Sequence, residues 1–152
     1  MTQGQVFVDR AHYNRDDTFM CMLEGTAHLR LVPHVNWNFM YAGKQIEFWS
    51  NEKGGKQIVQ AQINESPVNL FAVDFGKYPK VHYLEQMYQD DLSAGDCIFI
   101  PAYYFYQTAG ESTVQTVVDE IKPSAIMIEL KYRSGNEMLN AYFDAIEKGV
   151  LK

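Results

Sequence analysis

Four histidines, two cysteines and a run of aromatics behind a proline are the side chains of this sequence whose types could do chemistry. His12 stands two residues before Asn14 and could offer one imidazole nitrogen to a transition metal. An iron centre of the facial-triad kind needs two imidazoles and one carboxylate, which balance Fe(II) and leave positions open for a co-substrate and oxygen. His12 alone cannot assemble that set. His28, His34 and His82 have no metal spacing between them and read as surface or loop residues. Tyr103, Tyr104, Phe105 and Tyr106 follow Pro101-Ala102 and could line a slot for a planar ligand, or serve packing if their hydroxyls find acceptors. Asp96 could act as a base or ligand, but directly after Gly95 it is placed to cap its own backbone. Cys21 and Cys97 each lie inside an apolar strand-like run and read as reduced core residues rather than a disulfide or a zinc pair.

The elements that must position these residues are mostly strands. Val6 and Val8 alternate with polar neighbours, Phe19 to Leu23 is continuously apolar, Glu24-Gly25 punctuates, and Ala27, Leu29 and Leu31 alternate until Pro33. These predict three strands in close succession. Lys44 to Trp49 and Lys56 to Ile63, separated by the turn cluster Ser50 to Gly55, predict a β-hairpin. Phe75 and Tyr78 are expected to pack under the loop that follows it. Val81 to Asp91 fits a strand imperfectly and a short helix almost as well. Ser93 to Asp96 has turn chemistry, with Gly95 free to take a positive φ, before the short apolar strand Cys97 to Ile100. Val114 to Val118 and Ala125 to Leu130 are two further β-rich runs. Ser134-Gly135-Asn136-Glu137 reads as a capping box, followed by Met138, Leu139, Tyr142, Phe143 and Ile146 on one helical face and Gly149 as a stop.

Composition bounds the partners. The chain has 152 residues, 47% of them hydrophobic, which suits one domain with its own core. A net charge of −6 with thirteen scattered Lys and Arg excludes a phosphate-binding face, so no nucleic-acid partner is expected. The first ten residues carry neither an apolar signal region nor transit-peptide character, and no run is long enough to span a membrane. With the cysteines read as reduced, an intracellular and by default cytoplasmic location is expected.

Two phrases of the sequence resemble one family. LSAGDCIFIPAYYFYQT is similar to the second metal-binding motif of the JmjC-type cupins, iron and 2-oxoglutarate oxygenases built on a double-stranded β-helix. HYNRDDTFMCMLEGTAHLRLVP resembles the first motif as it stands in their asparaginyl-hydroxylase branch, with His12 at the first iron ligand. The resemblance implies a mainly β chain: a cupin or jelly-roll barrel over residues 1–133, incomplete at its N-terminus, and one C-terminal α-helix over 134–152 packed on or beside it.

The same resemblance implies a degenerate site. Asn14 stands where the family has its carboxylate, and Tyr106 where it has its second histidine. Ala27 takes the place of the lysine that pairs with 2-oxoglutarate, and Glu129 that of a supporting asparagine. No catalytic residue, no metal and no cofactor are therefore expected, and the chain reads as a structural or protein-binding subunit of a larger assembly. Its partner is expected to add a strand beside Val6 and Val8 and to touch the helix at Tyr142, Phe143 and Ile146; the alternative is that the hairpin folds back over that edge. One rival function is an oxygenase of protein-hydroxylase or demethylase type, using Fe(II) and 2-oxoglutarate with altered ligands: His12, a Tyr106 phenolate, and Glu111 or Glu129. Another is a metal-free barrel that binds a small molecule in its aromatic interior.

Overall fold

The computed structural model describes residues 4–43, 45–50, 55–60, 64–112, 125–148 and 150. Among the described residues nine strands run β1 (Gly4–Val8), β2 (Asp16–Glu24), β3 (Thr26–Val32), β4 (Gln45–Ser50), β5 (Gly55–Gln60), β6 (Tyr88–Ser93), β7 (Cys97–Ile100), β8 (Phe105–Ser112) and β9 (Ile126–Arg133). One α-helix among the described residues, α1 (Glu137–Glu147), follows β9. The strands form a four-stranded sheet in the order β1-β8-β3-β6 and a three-stranded sheet in the order β7-β2-β9, with β4-β5 as a separate hairpin. All pairings are antiparallel. This is a jelly-roll-like arrangement, mainly β with one terminal helix, as the sequence predicts.

Alternation sets the inner surfaces. Met20 and Met22 of β2 turn inward, as do Ala27, Leu29 and Leu31 of β3, and with Ile100, Leu92 and Tyr106 they form one apolar cluster between the two larger sheets. The other face of β8 is buried as well. Phe105 packs edge-on against Tyr13, and Gln107 uses both ends of its amide, accepting from Leu70 N at 2.6 Å and donating to Asp9 O at 2.9 Å. A second cluster forms there from Tyr13, Val68, Leu70, Tyr103, Phe105 and Phe143. Gly25 at φ 82° and Gly95 at φ 98° make the tight turns that link β2 to β3 and β6 to β7. Asp96 Oδ2 accepts from Ser93 N at 2.9 Å, so this carboxylate caps its turn.

Several expectations are corrected. Cys21 and Cys97 face each other across β2 and β7 with Cα atoms 4.1 Å apart and are joined as a disulfide. They point to the outer side of that sheet, so they are neither core residues nor free thiols, and the argument from reduced cysteines to a reducing compartment falls with them. Asn136 rather than Ser134 caps α1: its side chain accepts from Leu139 N at 3.0 Å, while Ser134 Oγ takes Asn136 N. Phe143 is fully buried in the chain's own core, stacked on Tyr103 at 4.1 Å, and Leu139 and Ile146 pack against the same cluster. Of the helix residues expected to touch a partner, Tyr142 remains exposed. Phe75 lies out on the surface against His82, whereas Tyr78 packs edge-on to Tyr41 beside the core. His34 is half buried in a 3-10 helix, and burial lowers its pKa below the ordinary value. The segment 81–91 divides into the end of a second 3-10 helix, Pro79–Tyr83, and the start of β6.

β4 and β5 pair antiparallel where the hairpin is predicted, its residues 44, 51–54 and 61–63 lying outside the described residues; β1 pairs with β8 and, among the described residues, with no other strand. The expected run Val114 to Val118 and the stop at Gly149 lie outside the described residues. No described helix is long and apolar enough to cross a membrane.

Candidate functional site

His12 sits between β1 and β2 in a stretch that is bonded on both sides. Its backbone N donates to Tyr106 O at 3.0 Å and its O accepts from Tyr106 N at 2.8 Å, making a single antiparallel bridge; a second bridge joins His12 to Glu65. This pairing lays the His12 ring against the Tyr106 ring, centroids 4.4 Å apart. His12 Nδ1 lies 2.8 Å from Arg10 O. A carbonyl only accepts, so Nδ1 carries a proton, and the Asp9 carboxylate lies 3.5 Å from the same nitrogen.

Asn14 follows two residues on and is held by its backbone, whose O accepts from Tyr103 N at 2.8 Å. Tyr103 makes this bond from φ 65°, a left-handed conformation that costs a bulky residue of order ~1 kcal/mol or more and persists where its surroundings hold it. Those surroundings are the stack on Phe143 and a hydrogen bond from the Tyr103 hydroxyl to Asn140 Oδ1. From this position Asn14 Nδ2 donates to the Tyr106 phenol oxygen at 2.6 Å and approaches Thr18 Oγ1 at 3.5 Å. The Thr18 hydroxyl bonds the same phenol.

Tyr106 is buried, projecting inward from β8 opposite Leu31 of β3. Burial pushes its phenol above its ordinary pKa of 10.0, and the carboxylates of Glu129 and Asp9 push it further, against the smaller opposing effect of the Asn14 and Thr18 bonds. Glu129 lies on β9 opposite Met20, on the side of the sheet that faces Tyr106, with Lys131 Nζ 3.6 Å from its carboxylate. Ala27 is fully buried, opposite Gly110 on β8 and Leu92 on β6. The structure thus brings His12, Asn14, Tyr106 and Thr18 together, with Glu129 close enough to bear on the phenol.

Sequence reasoning missed Thr18. Its signal was the inward position it shares with Met20 and Met22 on β2, which reads as packing until the phenol beside it is known.

This donor set does not fit an iron centre. Asn14 turns its Nδ2 to Tyr106, so two of the three positions at which the resemblance would put ligands bind each other. The phenol is held neutral, and a neutral phenol is a poor metal ligand. Among the described residues no group of three His, Cys, Asp or Glu side chains stands where it could hold a metal. An open space beside His12, about 510 Å³, is lined by Val8, Asp9, Arg10, Asn64 and Glu65 and not by Asn14 or Tyr106.

The family model for the cupin-like domain matches residues 1–148. No curated protein matches the chain significantly. A jelly-roll-like fold, the two bracketing motifs and a family match over nearly the whole sequence agree: this chain belongs to the cupin-like domain family of JmjC type.

Proposed function

We propose that this domain is a non-catalytic member of its family, of the asparaginyl-hydroxylase lineage, and that it serves as a structural or protein-binding module. The observation that carries this reading is the bond from Asn14 Nδ2 to the buried Tyr106 phenol. Where a metal would take electron pairs from a carboxylate and an imidazole, this chain has an amide donor satisfying a hydroxyl, a pairing that is stable without a cation. Ala27 adds to the argument, since a buried methyl offers no charge to a dicarboxylate.

The oxygenase reading would need Tyr106 to ionise, against its burial and the two nearby carboxylates. Among the described residues β1 is an edge strand of the four-stranded sheet, and this supports reading it as the place where a partner adds a strand. The register shift between Gln5 and Phe7 limits that contact to a short stretch.

The test is anaerobic titration of the protein with Fe(II) and with 2-oxoglutarate, beside the double variant Asn14→Asp/Tyr106→His. The wild type should bind neither, while the double variant should gain a metal by restoring two imidazoles and one carboxylate around one point. A stoichiometric metal on the wild type, or succinate formed from 2-oxoglutarate, would sink the reading.

A further inference from the structure

β7 is a strand of four residues at the rim of the three-stranded sheet and, among the described residues, pairs with β2 alone. Its first residue, Cys97, faces Cys21, and the two are joined across the ladder. Beside them Met22 N donates to Asp96 O at 2.9 Å, so Cys21 and Cys97 form the non-hydrogen-bonded kind of antiparallel pair, in which facing side chains lie closest. Their Cα atoms are 4.1 Å apart. The ladder by itself therefore holds the two sulfurs within reach of each other, bonded or not.

The bridge lies on the wet side of the sheet, with Cys97 exposed and Cys21 half-buried. Exposed disulfides are the ones that dissolved thiols reach and exchange with. Past β7 the chain has few ties. Pro101 has no N–H to give, Ala102 N donates to Asp17 Oδ1 at 2.8 Å, and Tyr103 N donates to Asn14 O at 2.8 Å. Apart from the bridge and the buried side chain of Ile100, β7 depends on its short ladder and on the bonds at its two ends.

We infer that the Cys21–Cys97 bridge is a reversible redox latch on β7, opened in the folded protein by a small thiol of the glutathione kind. A thiolate attacks Sγ of Cys97, the more exposed sulfur; the S–S bond breaks and Cys21 leaves as a thiolate. A second thiolate attacks the small-molecule sulfur of the mixed disulfide, forming the free disulfide and releasing Cys97. Two electrons pass from the pair of small thiols to the bridge, and the two protons those thiols lose end on the cysteines. The reverse sequence closes the latch, because the ladder keeps the two thiols face to face. Once open, β7 frays from β2 as a local unit while the remaining strands stay folded. The inference holds whether or not the domain is catalytic.

The test places the folded chain in reduced and oxidised glutathione at a series of ratios, traps free thiols with N-ethylmaleimide and weighs the products. Both cysteines should gain the label together as the ratio rises and lose it when the ratio is reversed, with far-UV circular dichroism unchanged. The opening rate should grow in proportion to reduced glutathione and stay constant in urea below the unfolding transition, which marks attack on the folded state. Amide exchange across β7 should then quicken ~10-fold or more beyond any change in β8. Cys21→Ser/Cys97→Ser should show the same fast β7 at every ratio; if that variant fails to fold, the reduced wild type supplies the reading. A bridge that opens only as urea unfolds the chain overturns the inference. So does a reduced protein that loses its far-UV signal, or a β7 that exchanges no faster once the bridge is open.

Discussion

Tyr106 is the residue on which the site turns, because a histidine in its place would be a ligand and a phenol is a lock. Replacing it by Phe removes the oxygen that Asn14 Nδ2 bonds and leaves that amide with only the long contact to Thr18. The expected cost is ~1–3 kcal/mol, read as a lower urea midpoint with an unchanged slope. Ionisation gives a second reading. In the unfolded chain this phenol titrates near pH 10.0, while in the fold burial and two carboxylates keep the proton on. The folded state therefore holds the extra proton in alkali, so this contribution is complete below pH 10.0 and shrinks as the pH rises above it. Ultraviolet titration should show one fewer late-ionising phenol in Tyr106→Phe than in the wild type. Equal late amplitudes in the two proteins would mean that Tyr106 is in contact with water.

Single elements show what pattern can and cannot tell. β3 was legible because Ala27, Leu29 and Leu31 alternate with polar residues, so one face is marked as inner. β2 was legible as a strand but not in its facing, because Phe19 to Leu23 is apolar on both sides and a period of two has nothing to grip. Hence the pattern reads Cys21 as a core thiol, whereas it lies outside, bonded to Cys97. The site is a similar case: the resemblance to the family's two motifs implies that His12, Asn14 and Tyr106 meet, but the amide-to-phenol bond needed coordinates. At α1, Ser134 and Asn136 are both good caps, and only the bond to Leu139 N decides between them. The disulfide closes a loop of 76 residues, so its reduction should cost ~2–4 kcal/mol, seen as a lower urea midpoint in the presence of reductant. Without reductant, a thiol-reactive dye should label neither cysteine even in the unfolded chain, and stoichiometric labelling would contradict the bridge.

At the scale of the molecule, the order β1-β8-β3-β6 places β8 inside its sheet and β1 at the rim. Amide hydrogen exchange should therefore be faster across Gly4–Val8 than across the β8 residues bonded on both sides, and protein that binds a partner strand should lose the difference. Equal protection in the isolated chain would mean that something already covers the rim. The same order has a consequence for how the protein comes to be. β8 separates β1 from β3, yet it is made long after both, and the Asn14–Tyr106 bond spans 92 residues. A chain leaving the ribosome can pair β6 with β3, but it holds β1 apart from them until residue 112 has emerged, so β1 cannot join the sheet progressively. It must wait until β8 is made, which puts folding in the slow, ~millisecond-to-second range of non-local β topologies and makes that interval the time when the nascent chain most needs protection from aggregation.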